Sequence, residues 1–253
     1  MSTMLLIPML AALASEPVTE PVSGGAIDWS ELRLEVTIAS NHSRGAWQDR
    51  RLQEQDAFDQ LSNRITRLAE DVPITAELTA GELMASGGEL GARLRSGVER
   101  WSVEEARYFT RGGVELVGVL DLRTWLWPVL VEMAEADELP APTDVSGLLI
   151  DARGVDMPLS MSPLIRTATG RTLVEPSRYS PAAARRRAPV LFVSDPADPA
   201  AAGRAGAAPL LLRASSVDDD GALVLSVAAE RLASEPSVAA LVSRGDIVIV
   251  VDQ

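Results

Sequence analysis

From Ala46 to Asp71 the chain runs without a proline or glycine, and Phe58, Leu61, Ile65, Leu68 and Val72 recur at intervals of three and four. That spacing lays one apolar stripe along a long amphipathic helix, which Pro73 ends. Such a stripe must be covered by another layer, and a sheet is the simplest cover. The flanking segments provide one. Leu32, Leu34, Val36 and Ile38 alternate with Arg33, Glu35 and Thr37, the period of a strand with one buried face. The segment Asn41 to Gly45, with the sole histidine His42, turns the chain. Trp101–Phe109 and Val114–Leu122 read as a hairpin across Thr110-Arg-Gly-Gly113, because glycine tolerates positive φ. Ile74–Leu78 reads as a short strand, and Gly81–Arg100 as a weaker helix or loop.

The fold class expected is therefore α+β with two small domains. In the first, residues 28–123, a long helix packs on an antiparallel sheet. An acidic, Pro-bearing linker follows at 124–143, and a mixed sheet with short helices occupies 144–253. In that second half, Gly147–Ala152, Met161–Ala168, Arg171–Glu175, Ala188–Val193, Leu210–Leu212 and Leu223–Leu225 read as strands or strand cores. Pro196–Gly206 reads as an Ala/Gly/Pro loop. Ser226–Ala233 and Ser237–Leu241 read as helices broken by Pro236. The run Ile247-Val-Ile-Val-Val251 is apolar throughout, as in a central strand buried on both faces.

Composition removes much chemistry. All 23 basic residues are arginine, there is no cysteine, and the hydrophobic content of 47% suffices for real cores. Without lysine there is no Schiff base and no P-loop lysine; without cysteine there is no thiol nucleophile, disulfide or thiolate metal site. One histidine cannot build a multi-histidine metal site. We expect no catalysis, no cofactor and no metal. The net charge of -13 repels nucleic acid and anionic lipid. It is uneven: residues 15–143 hold 23 acids against 12 arginines, and residues 144–253 hold 13 against 11.

At the N-terminus, the apolar run Met4–Leu13 is too short to span a bilayer of about 30 Å. It ends in Ala12-Leu13-Ala14, the pattern of a signal peptide (residues 1–14) cut after Ala14, although no Lys or Arg precedes it. Residues 15–27, rich in Pro, Ser, Gly and Glu, read as a linker. The expected localisation is periplasmic or secreted.

Trp125 and Trp127, read at a strand end, face the same side, either as core or as an interface pair. Asp151 and Arg153, with Gly154 after them, read as an ion pair closing a turn. Asp218-Asp-Asp-Gly221 reads as a hairpin turn and Arg185-Arg-Arg187 as a solvated charge run.

The segment Gly147-Leu-Leu-Ile-Asp-Ala-Arg-Gly154, followed by Ser162-Pro-Leu-Ile165 and Thr169-Gly-Arg171, resembles a pattern of bacterial envelope proteins grouped with the Lpp-twenty lipoprotein family. Pro209-Leu-Leu-Leu-Arg-Ala214 and the last strand extend the likeness. The resemblance implies export to the periplasm or outer membrane and a helix-on-sheet α+β domain. It implies no catalytic residues, and among relatives flagellum-associated proteins that assemble into rings or disks. This chain lacks the family's lipobox cysteine, which leaves a form without a lipid anchor. The function expected is that of an exported envelope protein working by contacts with other envelope proteins or with itself, with no nucleic acid partner, no membrane span, and a homo-oligomer as one expected assembly. The alternative is a small-ligand or polysaccharide-binding module using Trp29, Trp101, Trp125 or Trp127 as stacking platforms.

Overall fold

The structure is a computed structural model that describes residues 16–40, 50–110 and 113–252. The expected signal peptide, the turn with His42 and Trp47 lie outside the described residues. The fold is α+β, in two small domains, each built on its own sheet.

The first sheet holds β1 (Thr19–Val22), β2 (Gly25–Asp28), β3 (Arg33–Ala39), β4 (Ser102–Tyr108) and β5 (Val114–Asp121). Their order is β1-β2-β3-β5-β4, antiparallel throughout. Helix α1 (Arg50–Glu70) crosses one face. Its buried Ala57, Leu61, Ile65 and Leu68 meet the inward residues Leu34 and Val36 of β3 and Leu116 and Leu120 of β5. Close approach depends on Gly118: a Cβ there would stand 2.8 Å from the Ile65 Cδ1 and 2.9 Å from a Leu61 methyl. Phe58, the first residue of the expected stripe, is exposed at its edge, where its ring lies 4.9 Å from that of Trp101.

Two expectations are corrected in this half and a third is made definite. Residues 15–27 are no plain linker, since β1 and β2 form a hairpin that extends the sheet; Gly24 makes the turn at φ 79°. Ile74–Leu78 is not a strand, although a single bridge joins Pro73 to Thr79. Gly81–Arg100 resolves into α2 (Ala80–Ala85) and α3 (Gly88–Val98). Thr79 and Glu82 form a capping box at the start of α2, each satisfying the other's backbone N–H.

A third correction bears on function. Leu122–Met133 is not a strand end but a helix, α4, capped by Asp121, whose carboxylate accepts the Thr124 N–H at 2.8 Å. Leu122, Trp125, Leu126, Val129 and Leu130 are its buried residues, spaced at i, i+3, i+4, i+7 and i+8. The helix period governs this segment despite its β-branched residues and Pro128. The strap from Ala134 to Gly147 then crosses to the second sheet.

That sheet contains β6 (Leu148–Asp151), β7 (Ile165–Arg166), β8 (Thr172–Val174), β9 (Leu191–Val193), β10 (Leu210–Val217), β11 (Leu223–Leu225) and β12 (Ile247–Val250). The order is β8-β7-β11-β10-β6-β12-β9. It is mixed: β10, β6, β12 and β9 run parallel, and β11 pairs antiparallel with β10. Every residue of β12 is buried. Ile247 and Ile249 enter the main core, while Val248 and Val250 pack on the other face with Ala201 and Ala205 of α6 (Pro199–Ala205). Two buried faces account for the continuous apolar run. The Ala/Gly/Pro segment expected as a loop contains α6, capped by Asp198. Short α5 (Pro181–Ala184) and α7 (Glu230–Ala233) precede α8 (Pro236–Arg244). Pro236 starts α8 rather than breaking a helix, since its missing N–H is one the first turn does not need.

The two sheets share one continuous apolar cluster. At their seam Trp29 is fully buried, its ring edge-on to Phe192 at 6.1 Å and its indole N–H on Glu20 Oε2 at 2.9 Å. Ser30 donates its hydroxyl to the Phe192 carbonyl at 3.1 Å and accepts the Val18 N–H at 2.9 Å. The Pro73 and Ile74 carbonyls accept the Met161 and Ser162 N–H groups at 3.1 and 2.8 Å. No helix among the described residues is long and apolar enough to cross a membrane.

The shared core predicts one cooperative unfolding transition in urea, with circular dichroism and tryptophan fluorescence coincident; two separated transitions would contradict it. Trp29→Ala should cost about 3–5 kcal/mol, read as a lower urea midpoint. At Gly147 an added Cβ would lie 2.5 Å from Ala205 Cα and 2.6 Å from its carbonyl oxygen. Backbone cannot yield as a side-chain tip can, so Gly147→Ala should cost about 1–3 kcal/mol, whereas Gly203→Ala, inside α6 with open space around it, should be neutral or stabilise by up to about 1 kcal/mol.

Candidate functional site

Three places bring chemistry-bearing residues together. The first is the motif that carries the Lpp-twenty resemblance. Asp151 ends β6, and Arg153 grips its carboxylate with two N–H groups at 2.8 and 2.9 Å. The Gly154 N–H, on a residue at φ 79°, donates to Asp252 Oδ2 at 2.5 Å, and the Ala152 N–H donates to the Val250 carbonyl. The motif therefore ties the end of β6 to the end of β12. The Arg153 hydrogen bond, first among several causes, holds the Asp151 carboxyl below its usual range; in return Asp151 raises the Arg153 pKa. A carboxylate so held is a poor proton donor at neutral pH. Asp156 lies exposed on the loop beyond.

The second place is a cleft of about 730 Å³ between α3 and α4. Arg93, Ser96, Gly97 and Arg100 line one side, Trp125, Trp127 and Pro128 the other, and Arg185 closes the end. The two tryptophans do not share a side, because two residues on a helix turn through about 200°. Trp125 is 4% exposed, with its indole N–H on the Leu94 carbonyl at 2.9 Å, and Gly97 makes room for its ring. Trp127 is 42% exposed. Among the other expected platforms, Trp29 is fully buried and Trp101 leans on Phe58.

The third place is β4, an edge strand in which all seven residues are exposed. Val103 is 39% and Tyr108 48% exposed, beside the Phe58–Trp101 pair and under Arg50, whose guanidinium sits 4.0 Å from the Tyr108 ring centre. On the other face, away from α1, Arg107 bonds Glu105 at 2.7 Å and Glu115 at 3.0 Å, and Arg33 bonds Glu104 at 2.6 Å. The sequence reading places this strand but not its exposure. The signal is there: Ser-Val-Glu-Glu-Ala-Arg-Tyr lacks the apolar alternation of a strand with one buried face.

The remaining candidates are structural. The Arg185–Arg187 run is not simply solvated: Arg186 bonds Glu138 at 2.8 Å and Arg187 bonds the buried Asp246 at 2.7 Å. The Asp218–Gly221 turn closes with Gly221 at φ 76° and is clasped by Arg166, which reaches Asp218 and Asp220 at 2.6 and 2.7 Å. Among the described residues no group of three or more His, Asp or Glu side chains is placed to hold a metal ion.

In comparisons with known proteins, residues 147–253 match a family model described as the second domain of Tp0624 of Treponema pallidum. The match begins one residue before β6 and takes in the second sheet, including the Asp151–Gly154 motif. No curated protein matches the chain.

Proposed function

We propose that this chain is an exported cell-envelope protein that works by protein–protein contact rather than by catalysis. The observation that carries the reading is β4. An edge strand of seven exposed residues, flanked by exposed aromatic and aliphatic side chains, is a template for adding another strand. The Lpp-twenty resemblance supports the envelope setting and the assembly role, including the flagellum-associated relatives. The second sheet fits a supporting part, since the motif of that resemblance ties two strand ends and its carboxylate is already held by arginine. A photoreactive amino acid placed at Ala106 in living cells should give an adduct with a second polypeptide identified by mass spectrometry. The same group at Asp219, exposed in the far hairpin turn, should not. Absence of an adduct at Ala106, or equal labelling at both positions, would end this reading.

One observation favours a second reading, a ligand-binding module. The cleft beside Trp127 combines an exposed indole with Arg93, Arg100 and Arg185 against Asp121 and Glu132, a mixed lining with a small excess of arginine that suits a ring-bearing, hydroxyl-rich and weakly acidic ligand such as an acidic oligosaccharide. Titration with a uronic-acid oligosaccharide should then quench the tryptophan fluorescence. Trp127→Ala should weaken binding about tenfold, the ~1.4 kcal/mol of one stacked ring. No quenching at millimolar ligand would dispose of it.

A further inference from the structure

Four strand edges bound the two sheets, and three are blunted. β1 has four residues and includes Pro21, while β8 and β9 have three residues each. Short length and proline are the usual protections of an edge. β4 is seven residues long and free of proline, and its bulge touches only the Val103–Glu105 end.

The backbone shows which groups β4 offers. The Phe109 N–H donates to the Gly113 carbonyl, so by antiparallel alternation Arg107 and Glu105 also turn their backbone groups toward β5. Ala106 and Tyr108 turn theirs outward, where no strand lies among the described residues. The next strand agrees: Val114, opposite Tyr108, exchanges hydrogen bonds with Ser40 on its far side, at 2.8 Å in each direction.

We infer that the occupant of this edge is the β4 strand of a second copy, paired antiparallel about a two-fold axis at Ala106. This rests on the protein-contact reading above and names its partner. Charge decides the register. A two-fold at Ala106 sets Glu105 opposite Arg107 of the second copy, and by symmetry Arg107 opposite its Glu105. Each of these carboxylates then stands between two guanidinium groups, its own at 2.7 Å and the incoming one. An axis at Glu104 or Glu105 would set a carboxylate against its own copy, and an axis at Arg107 a guanidinium against its own; directly opposed like charges disfavour pairing. A two-fold at Ala106 also brings outward N–H and C=O groups together, Ala106 to Ala106; an axis at Tyr108 would do the same, but it sets Arg107 opposite Phe109 and gains no such charge pair. On the helix side, the two exposed Ala106 side chains would face each other, with one Tyr108 at either end of the row. The product is a ten-stranded antiparallel sheet with an isologous interface, closed as a dimer.

The test uses the purified protein and the absence of native cysteine. Sedimentation velocity should show a concentration-dependent dimer. Glu105→Arg alone and Arg107→Glu alone should each raise the dissociation constant roughly tenfold or more, by setting like charges opposite. The two variants mixed should regain the dimer, since a basic edge then meets an acidic one. Under oxidation, Ala106→Cys should form a covalent dimer, because residues at a two-fold hydrogen-bonded pair have Cα atoms about 5.5 Å apart. Tyr108→Cys should not, its copies being about 14 Å apart along the strand. A monomer at millimolar concentration overturns the inference, as does a dimer insensitive to both charge variants or one cross-linked through Tyr108→Cys. A monomer that still gives a different protein adduct at Ala106 in cells overturns the self-pairing and leaves the protein-contact reading standing.

Discussion

Burial of Trp29 at the seam is the constraint on which the rest of the architecture depends. Among the described residues the indole is the largest fully buried side chain, and it touches both halves. Its N–H would be costly to bury unpaired, and Glu20 on β1 accepts it. That single bond gives the hairpin β1–β2 a reason to exist: Val18, Glu20 and Ser30 wrap the indole and carry the first sheet against the Phe192 carbonyl of the second. Small sheets seldom bury enough surface alone. Here each completes its core with the other, and the apolar cluster runs unbroken through both.

The strap between the sheets is fixed for a related reason. Glu138 bonds Arg186 at 2.8 Å, the Leu139 N–H donates to the Ser243 hydroxyl at 3.2 Å, and the Glu135 and Ala136 N–H groups donate to the Ser177 and Tyr179 carbonyls. The acidic composition that reads as a solvated linker is used to meet arginines. The buried Asp246 is held between Arg187 and Arg244 at 2.7 and 2.9 Å. The planar guanidinium can donate to several acceptors at once, which suits a chain whose only basic side chain apart from His42 is arginine.

How legible this was depended on whether a segment had one buried face. The α1 stripe, the alternation of β3 and the apolar run of β12 are direct images of burial, and all three segments form the elements expected. Where burial is shared between partners, the pattern fades. Residues 15–27 read as a linker because β1 lies on an edge with few inward side chains, and its glycines serve the turn. Residues 124–143 read as a linker, with Trp125 and Trp127 at a strand end, because Pro128 and the β-branched Val129-Leu-Val131 mask the i, i+3, i+4 spacing of Leu122, Trp125, Leu126, Val129 and Leu130. That error set Trp125 and Trp127 on one face, whereas the helix buries one and exposes the other. The edge at β4 was hardest to read, since exposure on all sides leaves only an absence of pattern.

Self-pairing at that edge must contend with the acidity of the first half, whose carboxylates outnumber arginines 23 to 12. At physiological ionic strength the screening length is about 8 Å, so remote carboxylates on two approaching copies scarcely feel each other, while charges brought into contact do. The balance is therefore struck locally, where Glu105 and Arg107 alternate with their counterparts only about Ala106. Within the strand, axes at Glu104 or Glu105 bring carboxylate onto carboxylate and an axis at Arg107 brings guanidinium onto guanidinium, so the register about Ala106, with its charges matched, is favoured over these.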